Sequence, residues 1–553
     1  MWPNAKSAKA ESQSAAKPDP RWYGPPGMRG LALAVVALVA CDAGRESRHR
    51  RRDPGALVVA EAADVQALDP IRVTDSESIE VGGLLFEGLV RWKPGTTDVL
   101  PGLATSWQVS PDGKRWTFHL RDHVVFHDGT PLDAAAVVFS FERLLDPKHP
   151  HYLAGQDAMY RRGLLKSITK LVALDPTTIE IHVSRPYAPL LGDLAMYPLV
   201  SPTAVNLWGD KFKEHPVGTG PFAFEAWNKG EHVVVHRFED YWGAKPAIDR
   251  IVFRVIVDAR QRLVELESGS VDLATSILPD EQPFVDLHPD LVLYTTPGND
   301  VSYLAFNTQQ PPFNDVRVRR AVSYAINKEP IVKLAYQGRA IAADGPLPPA
   351  QWAYHAPKTR YPYDPVLARK LLGEAIADKT FDPDRTYNLY SLSTPRPYLS
   401  QPERVARFLQ SALAQVGIKT RLELLPYAAH KEVVEAGRHD LAVFGWIGDS
   451  GDPDNFLYVL FHSANAKAPS AQNIAFYSDP GVDTLLNDAQ AASDEATRSG
   501  LYAVVQDRIA ADAPWVPLAH SEFVVAARAE LDGVILSPLG HPVYALIRRA
   551  EAK

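Results

Sequence analysis

The chain has 553 residues, 46% of them hydrophobic, far more than the roughly 100–200 residues of a single domain and enough for two or more cores. Its net charge of -8 hides an uneven distribution, because residues 1–56 hold 10 Lys and Arg against 5 Asp and Glu and leave an acidic body from 57 onward. An acidic body lacks the clustered Lys and Arg that displace counterions from phosphates, which argues against a nucleic-acid surface, and 1 Cys permits no disulfide framework.

The first pattern along the chain is the apolar run "GLALAVVALVA" from Gly30 to Ala40. A helix needs about 20 apolar residues to cross a bilayer, so this run suits the core of a signal peptide instead. It ends at Cys41, and Leu38-Val39-Ala40-Cys41 resembles the lipobox of bacterial lipoproteins, in which the chain is cut before the cysteine and its thiol is acylated. The expectation is a signal peptide over 1–40 and lipid attachment at Cys41; the competing reading of Cys41 is a small hydrophobe in a buried helix. The polar "DAGRESRHRRRDPG" that follows reads as a solvated tether, making 41–56 the anchor and linker. Asp42, directly after the cysteine, resembles the signal that keeps such lipoproteins at the inner membrane of a two-membrane cell. Residues 1–27 make a poor n-region, and Met28-Arg29 would be a more ordinary start.

From Ala56 strands and helices interleave without a tandem repeat. "WTFHLRDHVVFHDGTPL", after the turn Ser110-Pro111-Asp112-Gly113, alternates as strands do, whereas "LDAAAVVFSFERLL" has helical apolar spacing. His119, His123 and His127 recur every four residues on this strand-like stretch, which puts them on one face but too far apart for one ion, so they read as surface or hairpin histidines. "TTIEIHV" is a further strand. "PVGTGPFAFEAW", "EHVVVHRF" and "IDRIVFRVIV" are strands, and the helix "ARQRLVELESG" and short strand "VDLAT" then complete a β-α-β unit.

The second half alternates more regularly: strand "TYNLYSL", helix "PERVARFLQSALAQVG" closed by Gly417, strand "IKTRLELLP", helix "KEVVEAGR" and strand "LAVFGWI". Strands joined by helices form a parallel sheet with right-handed crossovers, and ligands bind beyond the carboxyl ends of such strands. Arg396, in "STPRPY", lies just beyond the first of these strands and Asp449 just beyond the third. A cation and an anion at one sheet edge suit the two ends of a small zwitterion; the bland alternatives for Arg396 are a solvated loop arginine or an ion pair with Asp449 itself.

The loop "GWIGDSGDPDNF" (445–456) carries three competing chemistries. Gly448-Asp449-Ser450-Gly451 looks like the surroundings of a serine-protease nucleophile, but Asp452 and Pro453 follow where more glycine is needed, and a triad requires a His and an Asp in defined roles around Ser450. A calcium loop starting at Asp449 requires glycine at its sixth position and glutamate at its twelfth, and the chain supplies Asp454 and Leu460. "DPDNFLYVLF" reads more simply as a helix opening on Asp452 as N-cap, Pro453 at the first helical position and Asp454 in the first turn. Asp449 remains as the carboxylate available to a ligand, and Trp446 stands close enough to line the same pocket.

These stretches together resemble the family 5 extracellular solute-binding proteins of ABC importers, and within that family the dipeptide- and oligopeptide-binding proteins. "DGKRWTFHLRDHVVFHDGTPLDAAAVVFSFERLLDP", "PVGTGPFAFEAW", "DYWGAKPAIDRIVFRVIVD", "LAFNTQQPPFNDVRVRRAVSYAINKEPIV" and "GWIGDSGDPDNF" look like its successive signatures in the right order over nearly the whole body.

The resemblance implies an α/β, two-lobed periplasmic-binding-protein-like fold (type II, cluster C) with an extra subdomain in the first lobe. Lobe I would comprise 57–300 plus 520–553 and lobe II 301–519, closing over a short peptide. It implies that Asp449 meets the α-ammonium of the ligand and Arg396 its α-carboxylate, with backbone contacts from the strand-like "GNDVSYLAFN" around Tyr303 and Asn307 near the hinge; the competing reading of Tyr303 is ordinary strand core. Losing either charged partner would cost roughly 2–5 kcal/mol, and their fixed separation would act as a ruler, because each residue lengthens an extended peptide by about 3.3–3.6 Å. The resemblance further implies a monomer with no cofactor, no bound metal and no chemistry of its own, held by its lipid in the periplasmic space at the inner membrane, whose closed form a permease and its ATPase recognise. The family includes binders of metal chelates, haem, glutathione and murein peptides, so these solutes remain alternatives to a peptide; a secreted serine hydrolase using Ser450 is the alternative from another class.

Overall fold

The computed structural model describes residues 55–550 except 74, 155–162, 164 and 538. The expected signal peptide and the Cys41 attachment site lie outside the described residues. Among those described, no helix is long and apolar enough to cross a membrane.

A 12-stranded mixed sheet organises the body. In chain order its strands are β1 (Ala56–Glu61), β2 (Phe222–Asn228), β3 (His232–Arg237), β4 (Arg250–Val255), β5 (Leu273–Ala274), β6 (Leu291–Pro297), β7 (Asp300–Phe306), β8 (Ala340–Ala342), β9 (Thr386–Leu392), β10 (Lys419–Leu425), β11 (Leu441–Ile447) and β12 (Trp515–Arg528). Their spatial order is β10-β9-β11-β7-β12-β5-β1-β4-β3-β2, with β6 and β8 pairing with parts of β12. The long β12 is therefore shared: its first residues pair with β7 and its last with β6. Asp300 fastens the start of β7 to it, accepting from the Ser521 N–H at 2.8 Å and from the Ser521 hydroxyl, while His520 Nδ1 donates to the Asp300 carbonyl at 2.7 Å.

The β-α-β unit forms as the sequence predicts. β4 runs into the helix Ala259–Glu267 and on to β5, and both strands lie parallel to β1 between them. Asp258 caps the helix by accepting from the Gln261 N–H, satisfying one of the donors a helix N-terminus leaves over. A separate four-stranded antiparallel sheet, Ala104–Val109, Arg115–Leu120, Thr178–Val183 and Ile168–Asp175, packs with the helix Ala134–Leu145 around Phe118, Phe126 and Phe141. It is the extra subdomain. One hydrophobic cluster draws its buried residues from Val301 to Ala519, and another from Leu57 to Leu273 together with Val525 to Ile547.

One reading needs correction here. The alternation of "RDHVVFHDGTPL" is not strand: after Leu120 the chain forms a loop closed by the single bridge Val125–Pro131, and alternation arises because Val124 and Phe126 turn into the core. His127 lies within this loop as a half-buried hairpin histidine. Its Nε2 donates to the Gly220 carbonyl at 3.0 Å and its Nδ1 accepts from the Gly218 N–H, and burial pushes its pKa down to about 4, so the ring is neutral.

Candidate functional site

β9 lies parallel to both its neighbours, with Leu389 opposite Leu441 in β11 and Leu392 opposite Leu425 in β10. Parallel strands direct their carboxyl ends to one edge, so the loops carrying Arg396 and Asp449 leave the sheet side by side.

The Arg396 loop is a compact turn in which Arg396 and Leu399 exchange backbone hydrogen bonds at 3.1 and 2.9 Å. Its guanidinium lies 4.4 Å from the centroid of the Tyr427 ring, a cation–π contact that holds the group without neutralising it. Arg396 Nε is buried with no hydrogen-bond partner, and no carboxylate of the described residues pairs with it. Tyr398, next in the loop, packs over Gly445 so closely that a Cβ there would lie 2.1 Å from its ring; glycine is needed in β11 for the Arg396 loop to seat. Arg396 borders a cavity of about 340 Å³ together with Glu61, Glu80, Thr275, Ser521 and His541.

The Asp449 loop is fixed by two asparagines that the sequence did not single out. Asn299, just before β7, accepts from the Gly448 N–H through its carbonyl at 2.7 Å and donates from Nδ2 to the Gly448 carbonyl at 2.9 Å. Asn455 Oδ1 accepts from Trp446 Nε1 at 2.9 Å and from the Asp449 N–H at 3.1 Å, so one side chain holds both the indole and the backbone of Asp449. Trp446 and Asp449 border a second cavity, of about 500 Å³, with Arg185, Asp193, Asp454 and Tyr458. Arg396 and Asp449 thus stand at one sheet edge but each against its own cavity.

The later aspartates have structural work. Asp452 stands one residue before the N-cap position, which Pro453 occupies in place of the first helical position expected for it; Asp452 Oδ1 accepts from the Asp454 N–H at 3.0 Å, and the same carboxylate takes a two-pronged buried ion pair from Arg498 at 2.8 and 2.6 Å. Asp454 does not face solvent on the first turn of the helix Asp454–Phe461; it is 5% exposed, its Oδ2 accepts from Gln490 Nε2 at 2.8 Å, and its Oδ1 has no partner. Burial, and then the charge of Asp452, push its pKa up to about 7. Ser450 is buried beneath Gly192, and no hydrogen bond joins its hydroxyl to a histidine among the described residues. None of their His, Cys, Asp and Glu residues form a group of three or more able to hold a metal ion.

Tyr303 and Asn307 line neither cavity. β7 is a central strand, and Tyr303 has its backbone committed to Phe444 on one side and Pro517 on the other. Its ring is 1% exposed and stacks on Trp515 at 3.6 Å. β7 and β11 are antiparallel, with Asp300 opposite Ile447 and Phe306 opposite Leu441, so Asn307 sits at the far end of the strand from Asp449. There its Nδ2 donates to the Gly437 carbonyl. The part of "GNDVSYLAFN" that reaches the site is its start, Asn299 and Asp300. A Gly-Asn-Asp run opening a buried strand was the signal available in the sequence.

A two-lobed α/β body that presents a cation and a carboxylate at one strand edge, beside cavities of 340 and 500 Å³, is the architecture of a solute-binding protein. The chain belongs to the bacterial extracellular solute-binding proteins, family 5, whose model matches residues 98–468. It is 32% identical over 531 residues to the dipeptide-binding protein of Escherichia coli K12, covering 93% of this chain and 97% of that one. It is equally 32% identical, over 542 residues, to heme-binding protein A of Haemophilus influenzae, with 93% and 97% covered. Among solved structures, the ABC transporter-associated periplasmic binding protein DppA from Helicobacter pylori, in complex with the peptide STSA, superposes with a TM-score of 0.75 at 33% identity over 90% of this chain and 98% of that one. The family is defined by solute binding rather than by catalysis.

Proposed function

We propose that the protein is the lipid-anchored receptor of an ABC importer and captures dipeptides or short oligopeptides between two lobes, 57–300 plus 520–553 and 301–519. Asp449 takes the α-ammonium, Trp446 forms the wall beside it, and Arg396 takes the α-carboxylate. The observation that carries this reading is Arg396 itself: a partly buried guanidinium with an unpartnered Nε and no carboxylate beside it, on the same strand edge as Asp449. An anion arriving there gains a charge-assisted hydrogen bond from the guanidinium. The likeness to the E. coli dipeptide-binding protein supports the same ligand class. Lipid attachment at Cys41 would hold the monomeric receptor at the periplasmic face of the inner membrane, within reach of the permease and ATPase.

Haem is the second reading, favoured by the equal identity to the Haemophilus protein. Titration of the refolded, ligand-free body with di-, tri- and pentapeptides, with glutathione and with haem separates these solutes. Saturable binding of a free dipeptide, weakened at least tenfold in Arg396→Gln, is the expected result. Haem binding without peptide binding would refute the peptide receptor.

A further inference from the structure

The cavity that holds Arg396 has a second unmet demand. Its lining includes four carboxylates, Glu61 at the end of β1, Glu77 and Glu80 on the helix Ser76–Leu85, and Glu522 in β12. Glu80 is occupied, since its two oxygens take the Tyr544 hydroxyl and His541 Nδ1. Glu61 is only half-satisfied: it is 5% exposed, Oε2 accepts from the Thr275 hydroxyl at 2.6 Å, and Oε1 has no partner. The nearest arginine does not serve it. Arg262 spends its guanidinium on the carbonyls of Ile256, Val257 and Ser276.

A buried carboxylate oxygen without a partner, flanked by two more acids, is costly to leave in that state and is relieved by a cation. Glu61 and Arg396 both line the cavity of about 340 Å³. A molecule meeting both carries a carboxylate and an ammonium or guanidinium. We propose that Glu61, backed by Glu77 and Glu80, is the subsite for a cationic side chain on the C-terminal residue of the bound peptide, so that the receptor favours peptides ending in Lys or Arg. The placement rests on the peptide reading above, in which the α-carboxylate docks at Arg396; because Asp449 borders the other cavity, the N-terminal residue does not compete for Glu61.

The empty site also has a protonation state that a ligand would change. Burial, then the negative charges of Glu80 and Glu77, raise the Glu61 pKa well above the usual carboxylate range against the opposing pull of the Thr275 hydroxyl and the more distant Arg262. His541, Arg396 and Arg339 also face this cavity. A cationic side chain favours the ionised form, so whatever proton Glu61 holds in the free protein is released on its binding, whereas a neutral side chain causes no such release.

The experiment titrates the refolded protein with Ala-Lys and with Ala-norleucine, which keeps the aliphatic chain but lacks the ammonium, in two buffers of different ionisation enthalpy. Expected are an affinity about tenfold higher for Ala-Lys, the scale of one hydrogen bond to a charged group, and proton release with Ala-Lys alone. In Glu61→Gln the ratio between the two peptides should fall to within about twofold, read on protein shown by its melting curve to be folded. If that variant does not fold, the two affinities of the unaltered protein decide: tighter binding of Ala-Lys than of Ala-norleucine supports the subsite and its absence overturns it. Equal affinities for the two peptides, both weakened by Arg396→Gln, overturn the subsite while leaving the peptide receptor standing. Binding of neither peptide overturns both.

Discussion

Asp454→Asn should make the protein more stable at pH 8, and by roughly a third as much at pH 5. The Asp454 carboxyl is 5% exposed with an unpartnered Oδ1, and its pKa rises from 3.8 to about 7 on folding. The folded protein therefore holds this proton more tightly than the unfolded chain does. Stability from this group is fully present below pH 3.8 and is lost as pH climbs to about 7. A shift of about 3 units corresponds to roughly 4 kcal/mol, which for a body of about 500 residues, at about 2.1 cal/mol/K per residue, is about 4 °C in Tm. Asparagine keeps the shape and the bond to Gln490 but carries no charge to bury. Calorimetric melts of both proteins at pH 5, 6.5 and 8 read the difference directly. A Tm gain that grows from pH 5 to pH 8 fits the geometry. A gain independent of pH, or a loss at pH 8, would show that Asp454 is ionised and compensated in the folded protein and refute the reasoning.

Arg498→Met should do the opposite, lowering stability by about 3–5 kcal/mol, because it strands Asp452 as an unpaired buried carboxylate; thermal melts at pH 7 check this, and a change under about 1 kcal/mol would mean that the pair is solvated. Asn455→Ala removes the acceptor shared by Trp446 Nε1 and the Asp449 N–H, at about 1–3 kcal/mol for each buried donor left unpaired. It should alter Trp446 emission and weaken ligand binding, and unchanged affinity would mean that the loop does not depend on Asn455.

The three parallel strands β9, β10 and β11 were legible because apolar runs of strand length alternate with helical spacing and turn signals, and that pattern permits few alternatives. Their common edge followed from topology alone. The helix before β11 was read from Lys431, but it begins at Tyr427, directly after Pro426; Tyr-Ala-Ala carries no amphipathic signal, and the Tyr427 ring is what lies under Arg396. Asn299 and Asn455 escaped notice for a different reason. Each is an ordinary polar residue whose importance comes from its partners, and for Asn299 the partner is Gly448, remote in sequence and adjacent only through the β7–β11 ladder. Tyr303 misled because a tyrosine in a strand near a presumed hinge has the right chemistry for a ligand; ladders on both flanks and stacking on Trp515 take it out of reach.

The central claim is that two charged ends, Asp449 and Arg396, hold the two ends of a peptide. The most direct test is calorimetric titration of the refolded body with a free dipeptide and with the same dipeptide N-acetylated or C-amidated, in the unaltered protein, Asp449→Asn and Arg396→Gln. The account predicts that each block weakens binding by roughly 2–5 kcal/mol, and that the variant already lacking the matching partner loses little more. Blocks that act equally in all three proteins, or not at all, would contradict it.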